Sequence, residues 1–155
     1  MSFADELLEQ AQHLANRERT KPREASLRRA VSTAYYALFH VLISDATKNW
    51  KRVDQRHALA RSFEHGRMRS ASEKIGKPQN SPPSSVDDHL RLVAATFVEA
   101  QQNRHTADYD NSNQWTRVEV LTQIAAVEAA FQSWRIIRDE PSAQACLFSL
   151  LVKDR

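Results

Sequence analysis

The sequence predicts an all-α protein, an up-and-down bundle of four to five helices, and three features predict it. Glycine occurs only twice in 155 residues, at Gly66 and Gly76, where a sheet protein rich in tight turns needs more. Apolar residues recur at intervals of three and four along most of the chain. The segments so marked are joined by short connections, which sets successive helices side by side in opposite directions. No internal repeat is present.

The first helix is expected from about Phe3 to Arg17. Ser2 caps it, acids follow in its first turn, and Phe3, Leu7, Leu8, Ala11 and Leu14 keep helical spacing. Lys21-Pro22 breaks it, because proline disfavours helix in the residue before it. The second helix is expected from Arg23 to Lys48, with Pro22 near its start. Its middle, AYYALFHVL, is apolar or aromatic on every side, and such a helix is buried all round. It reads as the central element, with a face left for another partner surface such as a second subunit.

Asp54 to Gly76 reads as one weaker helix, capped by Asp54, with a short stripe of Ala58, Leu59, Ser62 and Phe63 and an end or bend at Gly66. GKPQNSPPSS, from Gly76 to Ser85, holds three of the five prolines and reads as a loop. A fourth helix starts near Ser85, with Asp87 and Asp88 in its first turn, and runs to about Asp108. Asn111-Ser112-Asn113 reads as a turn and cap. A fifth helix spans Trp115 to Asp139 on the seam Val120, Ile124, Val127, Phe131 and Trp134, and Pro141 ends it. Residues 1–140 thus form one helical domain. Residues 141–155, with Cys146, Leu147, Leu150 and Leu151, form a short amphipathic tail or helix that docks on the bundle or pairs with another chain.

Composition removes several function classes. Two isolated glycines build neither a phosphate loop nor a dinucleotide-binding turn. Cys146 is the only cysteine, so an internal disulfide and a thiolate zinc site are both excluded. A reducing cytoplasm is the expected location. MSFADELLEQ lacks the pattern of a signal peptide, and no run approaches the roughly 18 apolar residues of a membrane span. No glutamate has a histidine three residues on, so a di-iron bundle is not encoded, and Glu9 with His13 reads as a surface pair. Neither a metal nor a cofactor is expected.

The net charge of +3 is unevenly spread. Lys48 to Lys77 holds nine basic residues against three acidic, and Arg17 to Arg29 six against two. Such segregation suits a nucleic-acid or acidic-protein partner, or simply a solvated basic face.

Among single residues, His40 lies in the buried run and reads as a hydrogen-bonded core histidine. His57, His65 and His89 sit among polar residues and carry no specific signal. Tyr35 and Tyr36 point about 100° apart on a helix, so one packs in the core and the other's hydroxyl can line an inter-helix cleft. The most informative stretch is NRHTADYD, Asn103 to Asp110. The apolar stripe Leu90, Val93, Phe97 and Ala100 continues through Arg104 to Asp108. These two can pair at i and i+4, yet base before acid is the weaker order, worth on the order of 0.3 kcal/mol at a surface. They either brace the end of the bundle or face a polar cleft that receives a phosphate or a partner.

LRRAVSTAYYALFHVL, Leu27 to Leu42, resembles the second-helix signature of the HEPN superfamily. NRHTADYD resembles the branch whose motif reads arginine, three residues, Asp-Tyr, and QRHALARSFEHGRM, Gln55 to Met68, resembles the segment between. The resemblance spans about residues 3–139. It implies a HEPN-like bundle, usually a homodimer, found in bacterial and archaeal toxin–antitoxin or defence systems, where some members pair with a small nucleotidyltransferase. Active members carry an arginine, then four to six intervening residues, then a histidine. Two copies form a metal-independent ribonuclease site in which a ribose 2′-hydroxyl attacks its own phosphate. Arginine steadies the phosphoryl charge and histidine moves the proton.

Here Arg104 matches the arginine, but Tyr109 stands where the shortest spacing puts histidine, and tyrosine titrates near 10. His105 is adjacent to the arginine, about 100° around the helix. A literal arginine, four residues, histidine match occurs at Arg52 and His57, in the basic segment. The resemblance therefore implies a module with a degenerate catalytic motif that binds RNA, a nucleotide or a protein partner. Arg104, Asp108 and Tyr109 are its candidate catalytic group, with Asp108 orienting Arg104. Asn103, His105, Tyr35, Tyr36, Arg52 and His57 are the candidate binding residues. The alternatives are an active endoribonuclease using Arg104 with Tyr109 or a histidine from another helix, and a structural or adaptor bundle.

Overall fold

The computed structural model describes residues 1–77 and 82–153. The described residues form seven helices and no strand: α1 Phe3–Ala15, α2 Glu24–Lys48, α3 Val53–Ala60, α4 His65–Ile75, α5 Val86–Tyr109, α6 Arg117–Ile137 and α7 Pro141–Leu151. Residues 78–81, in the middle of the expected loop, and 154–155, at the end of the expected tail, lie outside the described part.

The four long helices, α1, α2, α5 and α6, alternate in direction, as their end-to-end contacts show. Phe3 at the start of α1 meets His40 in the second half of α2. Arg28 near the start of α2 reaches Ala107 near the end of α5. His89 at the start of α5 bonds Ser133 near the end of α6. Arg135 near the end of α6 bonds Asp5 near the start of α1. α2 packs against α1, α5 and α6 together, so it is central, as its all-round apolar run requires. Its fully buried residues include Leu27, Ala30, Ala34, Tyr35 and Leu38, with Phe97, Ile124 and Trp134 contributed by neighbours.

Helix ends are fixed by local chemistry. Ser2 with Asp5, Ser85 with Asp88 and Thr116 with Glu119 form capping boxes on α1, α5 and α6. The cap of α6 is thus Thr116, three residues beyond the expected Asn111–Asn113. Two arginines close C-termini: Arg28 donates to the carbonyls of Ala107, Asp110 and Asn113, and Arg117 to those of Ala15, Glu18 and Arg19.

The segment expected as one helix from Asp54 to Gly76 is two. α3 buries nothing, and Asp54 lies in its first turn, not at its cap. The chain turns at residues 61–64, which sends Phe63 into the core, and α4 then starts afresh with Met68 and Ser72 buried. Gly66 lies inside α4 and bends nothing. Pro141 ends α6 and also opens α7 at its first turn, where a missing N–H costs no bond. α7 docks on the bundle through Ala143, Leu147 and Leu150. No helix among the described residues is long and apolar enough to cross a membrane.

Candidate functional site

Gln101, Arg104 and Asp108 follow one another at three- and four-residue steps, so they share one face of α5. That face meets the middle of α2. The Arg104 guanidinium carbon lies 5.3 Å from the Tyr35 ring centre and 5.8 Å from that of Tyr36. Its side chain is 15% exposed. Asp108 sits one turn on, with an oxygen 3.5 Å from Arg104 Nη1, and its other oxygen accepts a hydrogen bond from the Ser32 hydroxyl. Ser32 and Tyr36 are one turn apart on α2, so Asp108 is tied to the helix that carries the tyrosines. Arg104 Nε is buried and has no hydrogen-bond partner among the described residues.

α4 adds a histidine that nothing in the sequence had linked to this place. His65, in the first turn of α4, lies with Nδ1 2.6 Å from the Tyr35 hydroxyl. Its ring stacks on Phe39 at 4.3 Å and an interplanar angle of 22°. Its backbone carbonyl accepts from Gln101 Nε2 at 3.1 Å, so α5 holds α4 in place. Tyr35 is fully buried, and burial pushes its hydroxyl well above the usual value, with Arg104 pulling weakly the other way. Burial lowers the His65 pKa, and the charges of Arg104 and His40 lower it further. Burial lowers that of His40 also. Near neutral pH the cluster therefore holds a neutral imidazole and a neutral phenol beside the Arg104–Asp108 pair.

The other expected residues lie apart from this cluster. Tyr109 is 68% exposed and its ring meets only that of His105, at 5.0 Å. Asn103 lines a cavity of about 60 Å³ between α2, α5 and α6 whose wall includes Tyr35, so it reaches the cluster only through that ring. Arg52 bonds Asp54 beside α3, and His57 is exposed on that helix. No hydrogen bond, ion pair or ring contact among the described residues joins either to Arg104. The basic segment forms the outer face of α3 and α4, partly neutralised where Arg69 pairs with Glu73. No group of three or more metal-ligating side chains gathers among the described residues.

Reading the sequence missed Ser32, Gln101 and His65. The first two could have been found by extending the helical faces of Tyr35, Tyr36 and Arg104 by one turn. His65 could not, because its place depends on the turn at residues 61–64. Comparison with family models, curated proteins and solved structures returns no match to this chain.

Proposed function

We propose that this chain is a HEPN-type module of a prokaryotic toxin–antitoxin or defence system, and that the Arg104 cluster binds the phosphate of RNA or of a nucleotide. In this reading α1, α2, α5 and α6 are the family bundle, α3, α4 and α7 are additions to it, and the catalytic motif is degenerate. The observation that carries it is the state of Arg104: a cation whose side chain is 15% exposed, held against two aromatic rings and beside one carboxylate. The test is binding of a labelled single-stranded RNA and of a mononucleotide to the parent and to Arg104→Ala. Binding that falls steeply with salt and is lost in the variant supports the reading. Equal binding by both overturns it.

A second reading, a metal-independent endoribonuclease, is favoured by one observation: a histidine, His65, lies in the same cluster as Arg104. RNA incubated with the protein and EDTA, beside Arg104→Ala and His65→Phe, decides it. Cleavage by the parent alone supports the enzyme. The homodimer that the family resemblance implies is tested by light scattering across a concentration series. A nucleotidyltransferase-type partner is tested by co-purification with a co-expressed candidate.

A further inference from the structure

We infer that His65 is a fixed N–H donor to the bound phosphate, acting beside Arg104, and that Tyr35 sets it in that role by donating its hydroxyl hydrogen bond to Nδ1 and accepting none from it. The inference deepens the phosphate-binding reading of the Arg104 cluster and rests on it. It also separates the two readings above, because a histidine that already carries its outward proton is a clamp, not a base.

The argument begins at the Tyr35 hydroxyl. It is fully buried and its hydrogen has one acceptor within reach among the described residues, His65 Nδ1 at 2.6 Å. If Nδ1 carried the proton instead, it would donate to the phenol oxygen and leave the phenol hydrogen buried without an acceptor. A buried donor left without an acceptor loses its hydration with nothing in return, so that arrangement is disfavoured. The phenol therefore donates, Nδ1 accepts, and the neutral ring carries its hydrogen on Nε2.

Nε2 is the outward atom. It makes no hydrogen bond among the described residues and is not among the buried unpartnered atoms, so it meets solvent. The ring cannot swing: Phe39 stacks on one side and Tyr36 meets it edge-on with centres 6.0 Å apart. The Arg104 guanidinium and the His65 ring both lie within about 6 Å of the Tyr35 and Tyr36 ring centres, so the two side chains flank the same pair of rings. The charged and titratable groups around His65 are Arg104 from α5, Tyr35, Tyr36 and His40 from α2, and Glu64 at the N-cap of its own helix. Arg104 and His40 both oppose a second positive charge on the ring. Such a site offers one cation, shared with the Asp108 carboxylate at 3.5 Å, and one neutral donor, which suits a phosphate ester with oxygens to share.

The test has two parts. Nitrogen NMR of the parent at pH 8 reads the His65 tautomer directly. Hydrogen on Nε2 is expected, with a shift of that resonance when uridine 3′-monophosphate is added, and with the tautomers mixing in Tyr35→Phe. Hydrogen on Nδ1 overturns the inference. Calorimetry with the same nucleotide, and with inorganic phosphate as a second probe, then compares parent, Arg104→Ala, His65→Phe and His65→Gln, each checked for an intact melt. His65→Phe should weaken nucleotide binding on the order of tenfold, and His65→Gln, whose amide nitrogen overlays Nε2, should recover most of it. Parent-like binding by His65→Phe with loss in Arg104→Ala leaves the phosphate reading standing and overturns the donor role. Parent-like binding by Arg104→Ala, or none by the parent, overturns both. Equal affinity for both probes assigns the site to free phosphate; preference for the nucleotide assigns it to nucleic acid.

Discussion

Arg28→Ala should be among the most damaging polar substitutions in this fold. Arg28 lies near the start of α2, and its side chain is 16% exposed. Nη1 donates to Ala107 O at 2.9 Å and Asp110 O at 3.0 Å, and Nη2 to Asn113 O at 2.6 Å. The last turn of α5 and the connection to α6 thus converge on one guanidinium. Nε bonds Glu24, which in turn accepts from the Trp115 amide at 3.0 Å. Hydrogen bonds to a charged group contribute about 1.5–3 kcal/mol each. Three carbonyl bonds share one cation here, and one of them, to Asp110 O, is already exposed and rehydrates once it is gone, so the total is about 3 kcal/mol. For a chain of this size that lowers the melting temperature by roughly 6–12 °C. Urea unfolding should show a lower midpoint at unchanged slope, and hydrogen exchange should quicken in the last turn of α5. Arg29→Ala, an exposed neighbour, should stay within about 0.5 kcal/mol of the parent. Arg28→Lys keeps the charge but cannot span three carbonyls, so it should recover less than half. A cost under about 1 kcal/mol for Arg28→Ala, or full recovery in Arg28→Lys, would refute the geometric argument and leave only a helix-end charge effect.

Asp45→Ala should cost about 1–3 kcal/mol in denaturant titration, because it strands the buried Trp134 indole N–H, now bonded to Asp45 at 2.6 Å. Stability should fall as pH drops below 6.5. His65 and His40 have folded pKa values lowered from 6.5, so the unfolded chain binds more protons below that pH. The slope should shrink in His65→Phe and vanish above pH 7. Cys146, whose thiol burial pushes up to about 11, should alkylate at least tenfold (~10-fold) more slowly in the folded protein at pH 8 than after unfolding in urea.

The helices themselves were legible, because burial of one stripe against α2 imposes the three-and-four spacing on α1, α5 and α6. The stretch AYYALFHVL announced its central position for the same reason. What misled was the weakly patterned segment from Asp54 to Gly76. α3 buries no residue, so no stripe records its limits. The turn that follows is set by Phe63 entering the core, a contact across the fold that local spacing does not encode. His65 inherits its place from that turn. Tyr109 shows the converse: its position in a motif suggested a role, while the backbone leaves it at the outward end of α5. Arg104, Asp108, Tyr35 and Tyr36 could be assembled from periodicity, with Ser32 and Gln101 one turn away, since all lie on long helices whose faces the pattern fixes.

Three arginines on these helices reach inward, and the contrast among them bears on function. Arg28 and Arg117 each give their guanidinium to three backbone carbonyls at helix ends, where unpaired carbonyls need donors. Those two are accounted for by stability alone. Arg104 caps nothing. It has a single carboxylate at 3.5 Å, a pairing worth a few tenths of a kcal/mol in the less favourable order on a helix, and it leaves Nε buried without a partner. Stacking on Tyr35 and Tyr36 adds about 0.5–2 kcal/mol, against the cost of drawing a guanidinium out of water. A leucine at position 104 would continue the stripe of Phe97 and Ala100 without that cost. Retaining arginine there makes physical sense if its remaining donors meet an anion, and Arg104→Leu sharpens the point. If the variant is as stable as the parent or more so, yet loses phosphate binding, the residue is kept for the ligand. If it unfolds the bundle, Arg104 is a brace, and the cluster around it is architecture.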